Sequence, residues 1–146
     1  MGNLLLLAII AIAVALIIRK NRKTRSPYEA HIRSTGRFDI NVAGESFYQE
    51  ALIDIEARLG RGWDDEGLQA FIVPEDDNPH DRNACGVYID GEKVGHLSRE
   101  NAREFRKKIG GRLLRDHSHF GVRARLVGGQ PDKPSFGVIL DMPAED

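Results

Sequence analysis

The amino-acid sequence predicts a mainly β fold of the β-rich α+β type: a small, partly open β-barrel of the OB or SH3-like kind with two helices, preceded by one transmembrane helix. Six short segments have the alternation or the composition of strands, and two longer segments repeat apolar residues at intervals of three and four. The chain also begins with a long uncharged apolar run. At 146 residues with a formal net charge of −1, it has room for one domain of about 100 residues plus extensions.

The uncharged apolar run spans residues 4–18 and is followed at once by Arg19 and Lys20. Fifteen helical residues rise roughly 23 Å, slightly less than the ~30 Å hydrocarbon core, and the two cations can extend toward the headgroups. A secretory signal peptide would carry positive charge before the run and small residues at a cleavage site after it, and this sequence has neither. A buried core helix would require a larger partner domain. We therefore predict that residues 1–18 form an uncleaved transmembrane anchor.

The segment that follows the apolar run is strongly basic. Five cations and no acid lie within residues 19–25, so the positive-inside rule predicts a single-pass membrane protein whose C-terminal domain is cytoplasmic. Residues 19–37 together carry seven cations and one acid, a net charge of +6. We expect this juxtamembrane linker to lie against anionic lipid, which attracts each nearby cation by about 1 kcal/mol. The alternative is that the linker contacts nucleic-acid phosphates.

Residues 38–146 form the predicted barrel domain, and its first half combines strand and helix patterns. Residues 38–42 alternate apolar and polar side chains, as expected for a half-buried strand. Residues 48–59 carry apolar side chains three and four positions apart, which predicts a helix that ends at Gly60. Residues 68–73 have the composition of a second strand.

A β-hairpin is predicted directly after a polar corner at residues 78–83. Residues 84–89 are apolar and β-rich, and the Asp90-Gly91 dipeptide that follows is favoured in a two-residue type I′ turn. Residues 92–97 should therefore return antiparallel to the first strand. The single cysteine, Cys85, falls on the inner side of this hairpin, where a small buried apolar residue is expected.

The last part of the domain contains a helix and two closing strands. Ser98 is a suitable N-cap for a helix over residues 99–109, whose apolar side chains fall on one face. Residues 120–127 and 136–142 follow as strands. The Gly-Gly-Gln-Pro-Asp sequence at residues 128–132 is predicted to be the loop that joins them.

Motifs of the common catalytic classes are missing from the sequence, which lacks a P-loop, a Gly-x-Ser-x-Gly elbow, a Cys-x-x-Cys pair and a His-Glu-x-x-His helix. We therefore expect a protein that is not an enzyme and needs no cofactor. Asp116, His117 and His119 form one cluster of potential metal ligands. Because this cluster has no cysteine and no fourth partner, we expect no metal site there.

The charge of the predicted barrel domain restricts its ligands. Residues 38–146 hold 14 cations and 21 acids, a net charge of −7. A domain that holds long duplex DNA by electrostatics alone would be basic. Any contact of this domain with nucleic acid is therefore expected in a small pocket and not over a broad face.

Two separated motifs give the domain a resemblance to a known family. The first is D-N-P-x-D-x-N-A at residues 77–84, which an aromatic strand, the Asp-Gly turn and V-G-H-L-S-R-E-N-A at residues 94–102 follow. The second is V-A-G-E-S-F-Y at residues 42–48, which fits an opening strand with a Gly-x-x-aromatic-aromatic signature. Over roughly residues 38–142 the chain resembles the HIRAN domain, a small β-barrel module found alone in bacteria and fused to helicase-like remodellers in eukaryotes.

The resemblance implies a nucleic-acid-binding module that captures the 3′ end of single-stranded DNA without catalysis. It assigns base stacking to Phe47 and Tyr48, and it assigns the terminal 3′-hydroxyl to Asp81. A carboxylate accepts a hydrogen bond from a hydroxyl and repels a terminal phosphate, so one aspartate can distinguish the two ends. The remaining implied pocket residues are Asn78 and His80 at the polar corner, and His96 with Arg99 on phosphates.

The sequence departs from the family pattern at three pocket positions. Ser46 and Phe47 stand where an arginine and a tyrosine are expected, and His80 replaces a tyrosine. Ser46 and Phe47 remove a cation and a phenol, and His80 removes a second phenol. These differences lower the expected affinity or change the expected ligand.

Two alternatives remain open from the sequence. In the first, Asn78, Asp81 and Asn83 only stabilise a turn, and Phe47 belongs to the core. In the second, the domain is a protein-interaction adaptor at the inner face of the membrane, and the barrel groove or a helix face binds a peptide. Convergence of Asp81, His96 and Arg99 beside exposed aromatic side chains would favour capture of a strand end, whereas a large exposed apolar patch would favour the adaptor.

Overall fold

The computed structural model describes residues 29–143, apart from the side chain of Arg112. Seven strands and two helices form the fold, and a short 3₁₀ turn at Glu45–Phe47 precedes the first helix. In chain order the elements are β1 (Glu29–His31), β2 (Ile40–Asn41), α1 (Gln49–Leu59), β3 (Leu68–Pro74), β4 (Cys85–Ile89), β5 (Glu92–His96), α2 (Arg99–Asp116), β6 (His119–Gln130) and β7 (Lys133–Asp141). This composition confirms the prediction of a mainly β fold with two helices.

The strands form a single curled sheet in the order β2-β7-β6-β3-β4-β5, and all of these neighbours are antiparallel. Strand β1 pairs in parallel with the start of β6. Just beyond β2, the backbones of Ala43 and His96 exchange two hydrogen bonds of 2.8 and 2.9 Å. This bridge brings the two ends of the strand order together. The sheet is a curled half-barrel, and this single bridge across its open side makes it consistent with an OB-like barrel.

The core lies inside the curl of the sheet, and periodic apolar residues supply it. On β6 every second residue from Phe120 to Leu126 is buried, as expected for a strand with one face toward the core. Helix α1 buries Leu52 and Ile55 completely, and α2 buries Ala102 and Phe105. Each fully buried large aliphatic or aromatic side chain stabilises the fold by about 1.5–3 kcal/mol relative to its exposed state.

Local turn and cap chemistry agrees with the sequence analysis. Asp90 and Gly91 have φ angles of 51° and 81°, which are the two positive values that a type I′ turn requires. The Ser98 hydroxyl accepts a hydrogen bond from the Asn101 backbone N–H at 3.1 Å and caps α2. Helix α1 ends at Gly60, whose φ of 77° is accessible to glycine at little cost.

Several boundaries differ from the sequence predictions. In the strand predicted over residues 38–42, Ile40–Asn41 pair with β7, and Val42 donates its N–H to the Val138 carbonyl at 3.0 Å. After the Ala43 bridge, the left-handed Gly44 (φ 78°) turns the chain into the 3₁₀ turn. Helix α2 extends beyond residue 109, but Gly110 (φ 72°, ψ 162°) interrupts it. Most of the predicted loop at residues 128–132 belongs to the β6–β7 hairpin. Sheet pairing fixes residues 40–43 and 128–130, and the local periodicity of a sequence does not predict such pairing.

Residues 29–37, which the sequence analysis placed in the juxtamembrane linker, bond to the barrel. Beyond the pairing of β1, Thr35 donates to the Asp141 carboxylate from its N–H at 2.9 Å and from its hydroxyl at 2.6 Å. Gly36 donates its N–H at 3.0 Å, Arg123 donates its Nη2 at 2.7 Å, and the Ser34 hydroxyl donates as well. Asp141 is completely buried, so these donors satisfy its charge. We call this group of residues the Asp141 clamp.

The clamp changes the acidity of Asp141. Burial by itself would raise the pKa of this carboxyl, but the hydrogen bonds from Ser34, Thr35 and Arg123 outweigh burial and hold its pKa well below the ordinary value. Asp141 is therefore ionised at neutral pH inside the fold.

The predicted transmembrane anchor at residues 1–18 lies outside the described residues. Between residues 29 and 143, no helix combines the length and the apolar character that crossing a membrane requires.

A candidate nucleic-acid interface on the outer face of the barrel

Glu75 organises a polar cluster where β3 ends. Its carboxylate accepts hydrogen bonds from Lys93 Nζ at 2.5 Å and from Asn78 Nδ2 at 3.0 Å, and His96 Nε2 lies 3.1 Å from Oε2. Burial favours a higher pKa for Glu75, but the hydrogen bonds from Lys93, Asn78 and His96 together lower it. We call Glu75, Asn78, Lys93 and His96 the Glu75 cluster.

Strand register places the Glu75 cluster above Gly86. Gly86 is paired with Val73 on one side and with His96 on the other. A Cβ atom at Gly86 would meet Glu75 Oε1 at 2.6 Å and the Tyr88 ring at 2.9 Å. Glycine is therefore the residue that leaves room here for the Glu75 carboxylate.

A shallow depression of ≈ 440 Å³, lined by residues 76–82, contains most of the polar corner and lies beside this cluster. The Asn78 side-chain oxygen accepts from the N–H groups of His80 and Asp81 at 2.9 and 3.1 Å. Asp81 Oδ1 accepts from the Asn83 N–H at 2.9 Å, and Asp81 Oδ2 receives no hydrogen bond from the described residues. Asn78 and Asp81 therefore stabilise the turn, as the first alternative stated, while one oxygen of Asp81 stays free for a ligand.

The aromatic pair of the sequence motif lies at the start of α1. Phe47 is 87% exposed, which excludes the alternative in which it belongs to the core. Ser46, Phe47 and Tyr48 line a second depression of ≈ 650 Å³ with the first turn of α1 and Glu92 of the hairpin. A ring with this exposure can stack on a base without displacing any core contact.

The Ala43–His96 bridge connects these two surfaces. It fixes the segment that leads into Ser46–Tyr48 against β5, where Lys93 and His96 belong to the Glu75 cluster. Within the cluster, Lys93 Nζ lies 5.9 Å from the centre of the Tyr88 ring, so a further aromatic side chain borders the cluster.

The predicted pocket residues do not all converge. Asn78 and His96 both contact the Glu75 carboxylate. His80 and Asp81 lie beside them, because their backbone N–H groups donate to the Asn78 side chain. Arg99 is exposed at the first position of α2 and makes no hydrogen bond or ion pair with the described residues. His96, which the resemblance places on a phosphate, also has a structural partner in Glu75.

Sequence reasoning missed Glu75 and Lys93. Each is a single charged residue at the end or the edge of a strand, and their contact spans 18 positions along the chain. The hairpin register was the one available signal, because it places Lys93 and His96 near the residues that follow β3.

The single cysteine and the possible metal ligands near this surface can be assessed directly. Cys85 is fully buried, and burial raises the pKa of its thiol to about 11, so this thiol is not an activated nucleophile. Within residues 29–143 no three His, Cys, Asp or Glu side chains are grouped in a way that could hold a metal ion. The surface offers the exposed Phe47 ring, the half-buried rings of Tyr48 and Tyr88, several hydrogen-bonding groups and one lysine.

Comparison with known proteins identifies one family. The model of the HIRAN domain matches residues 35–135 of the chain. No curated protein and no solved structure matches it. The matched range includes the Glu75 cluster, the polar corner and the aromatic pair Phe47 and Tyr48.

Proposed function

The chain belongs to the HIRAN domain family, and we propose that it captures the 3′ end of single-stranded DNA in the small pocket around the polar corner, without catalysis. HIRAN domains are nucleic-acid-binding modules for single-stranded 3′ ends. The observation that supports this proposal most is the position of Phe47, which is almost fully exposed and is connected to the polar corner through His96 and Glu75.

The proposed roles follow from the chemistry of each group. Phe47 and Tyr48 stack on bases, which contributes about 1–3 kcal/mol for each base without sequence preference. The free Oδ2 of Asp81 accepts a hydrogen bond from the terminal 3′-hydroxyl and repels a terminal phosphate. Lys93 is ion-paired with Glu75, so its ammonium group can donate to a phosphate but adds no net positive charge in place of the one that Ser46 lacks.

Titration of the full-length protein in mild detergent with three fluorescent ligands tests the proposal. These ligands are a single strand with a 3′-hydroxyl, the same strand with a 3′-phosphate and a blunt duplex of equal length. We expect the tightest binding to the strand with the 3′-hydroxyl. Equal or tighter binding to the blunt duplex would refute end capture.

We expect Phe47→Ala to weaken binding of the single strand by about 1–3 kcal/mol, the range for loss of one stacked base. The melting temperature should stay unchanged, because truncating a side chain that is 87% exposed alters stability by no more than about 0.5 kcal/mol. Fluorescence anisotropy and thermal denaturation of the same preparations measure the two effects.

Two further variants control for this prediction. Ile53→Ala removes another exposed apolar side chain, 52% exposed on α1, and should leave DNA binding unchanged. Phe47→Leu keeps an apolar surface but removes the π-face, so it should bind DNA as weakly as Phe47→Ala. If Phe47→Leu binds as tightly as the parent, Phe47 does not stack on a base.

One observation favours the adaptor as a second candidate function. An apolar groove of ≈ 370 Å³ lies between α2 and the two ends of the described chain, and its floor includes Ile40, Phe105, Ile109 and Met142. In that function the groove binds an apolar peptide at the inner face of the membrane. Absence of single-strand binding in the titration above would favour the adaptor.

We also propose that residues 1–18 anchor the protein as a single-pass membrane protein with the HIRAN domain in the cytoplasm, and that the basic residues after them lie against anionic lipid. The full-length protein should sediment with membranes and resist extraction by alkaline carbonate. A fragment that starts at residue 29 should be soluble, and it retains β1 and the Asp141 clamp. Recovery of the full-length protein in the cytosolic fraction would refute the anchor.

A further inference from the structure

The charges of α2 are sorted by side. Seven of the 14 cations of residues 38–146 lie in this helix, against three acids. With about 100° of rotation for each residue, four of them fall within an arc of roughly 100°. These four cations are Arg99, Arg103, Arg106 and Lys107. Glu100 and Glu104 lie beyond that arc and line the apolar groove together with Lys108.

Arg106 identifies what this basic side of α2 faces. Its Nε donates to the Asn83 carbonyl at 2.9 Å and its Nη2 donates to the Ala84 carbonyl at 3.0 Å. Its Nη1 pairs with Asp76 at 2.7 Å. The basic side of α2 therefore adjoins the loop that forms the polar corner, and the apolar groove lies on the other side of the helix.

The other three cations of the arc have no structural partner. Arg99, Arg103 and Lys107 are exposed and make no ion pair or hydrogen bond with the described residues. They are spaced four residues apart, about 6 Å along the helix axis. Like charges at this spacing destabilise a helix by about 0.2–0.5 kcal/mol for each pair. An anionic ligand that contacts the row would offset this repulsion.

We propose that Arg103 and Lys107 contact the phosphates of a DNA strand whose 3′ end lies in the polar corner. This inference rests on the proposed function and extends it, since the ligand becomes a strand of several nucleotides and not an isolated end. In this proposal the polar corner holds the terminal nucleotides, and Arg103 and Lys107 contact phosphates farther along the strand. We favour DNA over a flat anionic membrane because Arg106 joins this side of α2 to the polar corner, where the proposed strand end lies.

The test uses the full-length protein in phosphatidylcholine nanodiscs. The ligands are two oligothymidylates with a 3′-hydroxyl, a trinucleotide and a strand of about 12 nucleotides. The longer strand has a length that one OB fold can cover. Affinities are measured by fluorescence anisotropy over a series of salt concentrations. In the Arg103→Gln/Lys107→Gln variant, the dependence of log K on log salt should become shallower by about 1.4 for the longer strand, since each lost phosphate contact contributes about 0.7. The trinucleotide should bind the variant as tightly as the parent.

Lys108→Gln/Arg115→Gln is the matched control. It removes the same two charges, from the groove side of α2 and from its last turn, and should leave the salt dependence of the longer strand unchanged. An equal effect of both double variants would overturn the inference, because net charge alone would then explain the result. If the parent binds neither oligonucleotide, the proposed function fails as well. If parent and variant both bind the longer strand with the same dependence of log K on log salt, only the role of α2 is refuted.

Nanodiscs that contain phosphatidylserine test the membrane as the partner of α2. DNA affinity is measured in both kinds of nanodisc. If Arg103→Gln/Lys107→Gln alters the difference in DNA affinity between the two lipids, but leaves the salt dependence in phosphatidylcholine unchanged, the row contacts lipid and the inference is wrong.

Discussion

Asp81→Ala should weaken binding of a 3′-hydroxyl single strand by about 1.5–3 kcal/mol, the range for a hydrogen bond to a charged group. The parent should already bind the 3′-phosphorylated strand poorly, because the carboxylate repels a terminal phosphate. Removing the carboxylate should therefore reduce the preference for the hydroxyl end. Fluorescence anisotropy with the two strands measures both the loss of affinity and the loss of discrimination.

The turn in the polar corner requires its own control, since Asp81 Oδ1 also accepts from the Asn83 N–H. Asp81→Asn retains an oxygen that can accept this hydrogen bond, so the turn should persist while the negative charge is lost. Asp77→Asn removes the same charge from an exposed neighbour and should leave end discrimination intact. End capture is the wrong function if folded Asp81→Ala binds the 3′-hydroxyl strand as tightly as the parent.

Asp141→Asn should lower the free energy of unfolding by about 2–4 kcal/mol, because several hydrogen bonds to a buried charged group weaken at once. An amide group in place of Oδ2 would direct its N–H toward the Gly36 N–H and the Arg123 guanidinium, which are donors themselves. Denaturant unfolding followed by circular dichroism measures the effect. Asp132→Asn in the exposed β6–β7 turn is the matched control and should change stability by less than about 0.5 kcal/mol.

The Asp141 clamp also predicts how stability depends on pH. The pKa of Asp141 is lowered in the folded state, so its ionised form stabilises the fold fully above the unfolded-state value of about 4. This contribution is lost as the pH falls below that value toward the lowered pKa. The parent should therefore lose stability on acidification more steeply than Asp141→Asn. Identical acid unfolding curves for the two proteins would contradict the clamp.

Local patterns in the sequence predicted most of the elements. The Asp90-Gly91 turn, the Ser98 cap and the glycine end of α1 depend on residues within four positions of one another, and all three agree with the structure. The HIRAN motifs predicted the family, which the match over residues 35–135 confirms. The assignment of residues to the DNA pocket stays a prediction, as does the membrane anchor.

Contacts between distant residues could not be predicted in this way. Strand β1 contains no strong strand pattern, and it is a strand because β6 offers it an edge. Phe47 could have been a core residue by composition, and its exposure follows from the turn that Gly44 introduces before α1.

By itself, the sequence determined the order and type of the main elements and the family, because helix periodicity, turn chemistry and short motifs act between near neighbours in the chain. Only the tertiary structure decided that Glu75 joins Asn78, Lys93 and His96, and that residues 34–36 surround Asp141. Ser34 and Asp141 lie 107 positions apart, and which residues meet over such a distance depends on the register of the whole sheet.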